Sequence, residues 1–116
     1  MIKPETVRTW ALAFNEATEQ PHFEKNSFRI RKKIFCTLDE NKKQAVLKLS
    51  ENDQSVFCAY DDKAAFPVNG AWGKQGWTIF RLDLCHPDLF RDALTTSFCN
   101  VAPKKLAAPY LPPAED

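Results

Sequence analysis

The chain has 116 residues, 44% hydrophobic, 27% charged and 12% aromatic, with a formal net charge of +1. That suits one domain with an ordinary core and excludes a disordered chain, which would carry fewer aromatics and more net charge. Three glycines with neither GxGxxG nor GxxxxGK(S/T) exclude the Gly-rich phosphate loops, and no apolar run nears the ~18 residues of a membrane span.

Pro4 suits the first turn of a helix, and Val7, Trp10, Ala11 and Phe14 follow the i, i+3, i+4, i+7 rule; the spacing predicts a helix ending near Thr18, before Pro21. His22-Phe23 opens an extended approach. Phe28 and Ile30 alternate with Arg29 and Arg31 as a half-buried strand, Lys32-Lys33 forms a turn, and Ile34 to Leu38 is a second strand. After the polar loop 39–43, Ala45, Leu47 and Leu49 alternate as a third strand, so a meander is expected. Ser50 with Asp53 three residues on is an N-cap arrangement, and Val56, Phe57 and Tyr60 give the helix that follows an apolar side.

Residues 64–68 are extended, with Pro67 barring a central-strand hydrogen bond, and Asn69-Gly70 is a turn. Trp77 to Leu84 is expected to be the longest strand. Pro87 then opens a last helix whose buried stripe is Phe90, Ala93, Leu94, Ser97, Phe98 and Val101. The expected architecture is a single α+β domain: an antiparallel sheet of about five strands with the N- and C-terminal helices packed on one face. Residues 1–106 form the domain, and 107–116 form a Pro-rich tail, docked or frayed.

The N-terminus, Met1-Ile2-Lys3-Pro4-Glu5, lacks a signal peptide's apolar core, so a cytoplasmic protein without membrane contact is expected. Cys36, Cys58, Cys85 and Cys99 include no CxxC pair. Zinc sites draw ligands in such close pairs, so no metal and no cofactor are expected, and the cysteines read as buried free thiols. His22 and His86 form no constellation with a nucleophile, so no catalytic residues are assigned and an enzyme is not expected.

Charge is unevenly spread. Residues 29–48 hold Arg29, Arg31, Lys32, Lys33, Lys42, Lys43 and Lys48 against Asp39 and Glu40, a local net of +5. Clustered cations gain counterion-release energy on a phosphate backbone, although the same charges also suit a solvated outer sheet face. The two Lys-Lys turns lie at opposite ends of the second predicted strand, with Arg29 and Arg31 on a shared face between them. The pI of 7.7 falls below the ~9 of a strongly basic reader, so any nucleic-acid affinity should be modest and salt-sensitive. A second signal is Trp72-Gly73-Lys74-Gln75-Gly76-Trp77. Two tryptophans around glycines can line a pocket or a stacking platform; equally, Trp77 can pack at a strand start while Trp72 covers an edge.

Four stretches in order resemble the MmcQ/YjbR family: Ala17-Thr18-Glu19 with His22-Phe23, the run from Ser27 to Phe35, Gly73-Lys74-Gln75-Gly76-Trp77, and Val101-Ala102-Pro103-Lys104-Lys105-Leu106. They span about residues 10–106. The resemblance implies a frataxin-like (CyaY-like) α+β fold and a DNA-binding role through two basic hairpin wings; it carries no catalytic residues. One departure is that Lys32 stands where family members often have glycine. An iron role is disfavoured, because Glu5, Glu16 and Glu19 are too few and too separated for an acidic ridge on the first helix. The expected function is a non-enzymatic protein that binds DNA with little sequence choice, as a monomer. Its phosphate contacts are Arg29, Arg31, Lys32, Lys33, Lys42 and Lys43, joined by Lys104 and Lys105. The alternative is a small-molecule or protein-binding domain with a pocket at Trp72, Gly73, Lys74 and Trp77.

Overall fold

The computed structural model describes residues 2–111. Helix α1 (Pro4–Leu12) carries Pro4 in its first turn and buries Val7 and Ala11. It stops at Leu12, short of the expected end near Thr18. Glu16 adopts φ 65°, the left-handed region that ends a helix, and Phe14 turns inward to stack on Phe98 with ring centroids 4.5 Å apart. The residues released become strand β1 (Thr18–His22), which pairs antiparallel with β2 (Lys25–Ile30). The sheet therefore has six strands rather than about five. β1 is an edge strand of Thr, Glu, Gln, Pro and His with no apolar alternation. Backbone pairing and the Ser27 hydroxyl, which donates to Gln20 O at 2.8 Å, hold it in place, and an edge is where Pro21 is tolerated in a strand.

The remaining strands are β3 (Lys33–Asp39), β4 (Gln44–Lys48), β5 (Ala65–Pro67) and β6 (Trp77–Arg81), giving the antiparallel order β1-β2-β3-β4-β6-β5. β6 ends at Arg81, not Leu84, because Leu84 and Cys85 N–H both turn back to Arg81 O. The longest strand is β3, at seven residues. Its register with β2 slips by one: Phe28 faces Cys36 while Arg29 faces Ile34, leaving Phe35 as a bulge. The slip lets Phe35 and Cys36, consecutive residues, both be buried. The Ser97 hydroxyl fixes it by donating to Phe35 O at 2.6 Å, with Lys48 O at 2.8 Å.

Helices α1 and α4 (Pro87–Val101) pack on one face of the sheet. Phe90, Ala93, Leu94, Ser97 and Phe98 of α4 are buried there against Phe28, Leu38, Leu47 and Phe80. Truncating Phe98 would remove a ring shared by Phe14 and Phe35, a loss of about 3–5 kcal/mol. Between β4 and β5, α2 (Glu51–Tyr60) begins as expected, with Ser50 Oγ accepting from Asp53 N–H at 3.0 Å. Of its three apolar residues only Phe57 is buried; Val56 and Tyr60 face outward. Between the Asn69-Gly70 turn and Trp77 the chain makes a single helical turn, α3 (Ala71–Lys74).

After α4, α5 (Lys104–Ala107) and a 3₁₀ turn (Ala108–Tyr110) fold back on it. Leu106 and Ala107 are buried, and the Tyr110 ring lies 5.1 Å from Phe14 and 5.5 Å from Phe98. The first part of the predicted Pro-rich tail is thus docked and helical; residues 112–116 lie outside the described residues.

Candidate functional site

The cations singled out in the sequence fall into two groups at opposite ends of β3. Arg31 and Lys32 are the two central residues of the β2–β3 hairpin, with φ of 48° and 72°. Two left-handed residues define the turn type that matches strand twist and favours Asn-Gly, so Lys32 stands where the backbone would favour glycine. Lys33 follows, exposed. Lys42 and Lys43 sit in the β3–β4 turn; six residue steps of β3 separate the two turns by about 20 Å. Arg29 and Arg31 do not join them. Arg29 is half-buried, its Nε donating to Ser27 Oγ at 2.9 Å, and Arg31 pairs with Glu16 at 3.6 Å.

Surroundings differ between the ends. At the β3–β4 turn, Lys42 N–H donates to Asp39 Oδ1 at 3.0 Å. Arg8 bridges Glu19 (3.0 Å) and Glu40 (3.5 Å), and the hydrogen bond it donates to Glu19 holds the guanidinium more firmly charged. Arg81 pairs with Asp83 at 2.9 Å, next to the Leu82 N–H that bonds Lys43 O. At the other end, the fold adds cations from far along the chain. Asn100 and Val101, the last residues of α4, line a small cleft of about 270 Å³ with Lys33, Ile34, Lys48 and Trp77. Lys104 and Lys105 follow on α5, both exposed. Lys33 and Lys48 thus share a cleft with the C-terminus of α4, whose dipole favours cations, and Arg31, Lys32, Lys104 and Lys105 lie within a few residues of its lining along the chain. Arg31–Glu16 is the only ion pair among these six within the described residues.

The helix-free face of the sheet carries the second feature. A cleft of about 310 Å³ is lined by Trp72, Trp77, Val68, Val46, Ile34 and Thr37, with His22 and Lys25 at its far edge. Trp72 is 61% exposed and stands edge-on to Trp77, with centroids 6.4 Å apart at 71°. Lys48 lies 5.8 Å over the Trp77 ring, and its ammonium donates to Gln75 O.

Of the four residues expected to form this pocket, two do so. Gly73 is buried away from it; a Cβ there would lie 1.8 Å from Val68 O, so glycine is needed for α3 to approach the strand end. Lys74 opens instead onto a groove along α2 that includes Glu51 and Gln54. Gly76, at φ 102° and equally close to Leu49 O, is a matter of backbone approach too. Sequence reasoning missed His22, Lys25, Ile34, Thr37, Val46 and Val68 as lining. The His22–Lys25 pairing across the β1–β2 hairpin was legible only once β1 was recognised as a strand.

A third concavity, about 580 Å³, lies between α2 and the start of α4, with Tyr60 and Leu84 exposed beside Asp61, Asp88 and Asp92. His86 caps α4 there, Nδ1 accepting from Asp88 N–H at 3.1 Å. All four cysteines are free thiols. Burial pushes Cys36, Cys58 and Cys99 above the ordinary thiol range, and burial with nearby Asp61 pushes Cys85 up to about 11. That is the reverse of what activates a nucleophilic cysteine. Among the described residues no group of three or more His, Cys, Asp or Glu gathers as a metal site, and no helix is long and apolar enough to cross a membrane.

A family model described as YjbR matches residues 12–100. The fold is similar to the crystal structure of Deinococcus radiodurans protein DR2400, which has a DUF419 domain. The TM-score is 0.78 at 17% identity, over 97% of this chain and 91% of that one. No curated protein matches the sequence.

Proposed function

The chain belongs to the YjbR family, and from that premise we propose that it is a non-enzymatic module that binds nucleic-acid phosphates with little sequence selectivity. The contacts are made from one end of the molecule rather than from two separated wings. The observation that carries this reading is the cleft that Lys33 and Lys48 share with the end of α4, with Lys32 next to Lys33 in the hairpin and Lys104 and Lys105 following α4 on α5. Lysines without an ion pair among the described residues suit a line of phosphates, and flexible lysines without planar, bidentate geometry suit a backbone better than base edges. Lys42 and Lys43 drop to a minor role, because Asp39, Glu40, Glu19 and Asp83 stand in the neighbourhood of that turn. The raised thiol pKa values favour the non-enzymatic part of the reading.

Titrating a labelled duplex of about 20 base pairs at about 50 mM and about 200 mM salt tests it. Binding that weakens steeply with salt, and that the Lys32→Ala, Lys33→Ala, Lys104→Ala, Lys105→Ala variant loses, is the expected result. No binding at the lower salt, or an unaffected variant, would remove the proposal.

A second reading is favoured by exposed Trp72 above its apolar cleft: a small organic molecule or a protein segment bound there. Tryptophan fluorescence across a metabolite panel separates the two.

A further inference from the structure

Aromatic and basic features meet on the sheet. The Trp72 cleft and the smaller cleft at the end of α4 share Ile34 and Trp77, so the basic end of the molecule runs directly onto the helix-free face. Along that face the pairs Thr37–Val46 and Val46–Ile79 put half-buried side chains side by side. At the far edge, His22 and Lys25 close the cleft. Just beyond them, Phe23 occupies the hairpin tip at φ 58°, 94% exposed, with its ring 4.8 Å from His22.

Resting on the phosphate-binding reading, we propose that the preferred ligand is single-stranded nucleic acid, its bases stacking on Trp72 and the helix-free sheet face and its phosphates following Lys33 and Lys48 at one margin and Lys25 at the other. Three physical facts select this occupant. Sequence-independent binding of single strands combines aromatic faces with a basic track, and both are present within one continuous surface. A duplex keeps its bases stacked on one another, so it offers no ring face to Trp72, and a cleft of about 310 Å³ is at the small end of ligand sites. An uncharged apolar ligand would leave the three lysines unused.

The test uses the full chain with a fluorescent oligothymidylate and a duplex of equal length, at low salt. The single strand should bind at least fivefold more tightly than the duplex and should quench tryptophan fluorescence. Trp72→Ala should weaken single-strand binding about tenfold, leave the salt slope of that binding unchanged and leave duplex binding unchanged. Trp72→Phe, which keeps a ring, should recover most of the loss and shows that the effect is not one of misfolding. A Trp72→Ala variant that binds the single strand as well as the parent overturns the inference, as does a duplex bound as tightly as the single strand. In both cases salt-dependent binding through Lys32 and Lys33 leaves the proposed function standing. If neither nucleic acid binds at low salt, both fall together; a metabolite that quenches Trp72 where the oligonucleotide does not also overturns the inference.

Discussion

The β2–β3 and β3–β4 turns each present two consecutive lysines, Lys32-Lys33 and Lys42-Lys43, yet the fold treats them oppositely. The first is a two-residue turn with both central residues left-handed, joined by cations from β4 and α5. The second is longer. It has one left-handed residue, Lys43, is tied by Asp39, and lies beside the Arg8–Glu19–Glu40 network. Two identical dipeptides on neighbouring hairpins therefore differ in strain and in field. Charge density along a sequence becomes a surface only after non-local pairing decides which carboxylates stand nearby.

The sharpest way to break this comparison is binding. Lys32→Ala with Lys33→Ala should lower duplex affinity at low salt about a hundredfold and reduce the salt slope by about 2, while Lys42→Ala with Lys43→Ala should change affinity less than about twofold. Equal losses at the two turns would erase the distinction. Next is strain: Arg31→Asn with Lys32→Gly should raise stability by about 2 kcal/mol, seen as a higher urea midpoint, because both residues then tolerate positive φ. The exposed Arg31–Glu16 pair forfeited in that change is worth well under about 1 kcal/mol. An unmoved midpoint would mean that the turn stores no strain. At the other hairpin, Asp39→Ala should cost about 1 kcal/mol by removing the acceptor for Lys42 N–H. The smallest effect is expected from Glu19→Gln with Glu40→Gln. Unmasking the second turn should raise duplex affinity about twofold at low salt and not at all at high salt; no gain would show that Lys42 and Lys43 are silent for some reason other than their acidic neighbours.

What the sequence made legible was local. Ser50 announced α2, Pro87 announced α4, the alternation of Ala45 and Leu47 gave β4, and the stripe from Phe90 to Phe98 gave the buried side of α4. β1 escaped because its five residues carry no apolar period; its strand character comes from β2 pairing with it. The end of α1 escaped because Phe14 continues the helical spacing while its ring is claimed by Phe35 and Phe98. The tryptophans were flagged, but the glycines between them belong to backbone approach rather than to the cleft. The placing of Lys33 and Lys48 beside the end of α4 depends on contacts between residues 49 and 52 positions apart. Ser97 and Asn100 reaching Lys48 O are the visible part of it, and no periodicity encodes such contacts.

The extra residue at Phe35 acts as a phase slip between two halves of one strand. From Cys36 onward, β3 keeps step with the core partners Leu47 and Phe28; before it, Ile34 lies on the same side as Thr37 and lines the cleft. The hairpin carrying Arg31 and Lys32 is thereby geared separately from the interior, so its composition can drift without repacking a single buried ring. Deleting Phe35 would restore unbroken alternation, with Ile34 still opposite Arg29 and Cys36 still opposite Phe28, so the hairpin would keep its outward charges while the interior lost the ring that Phe14 and Phe98 pack against.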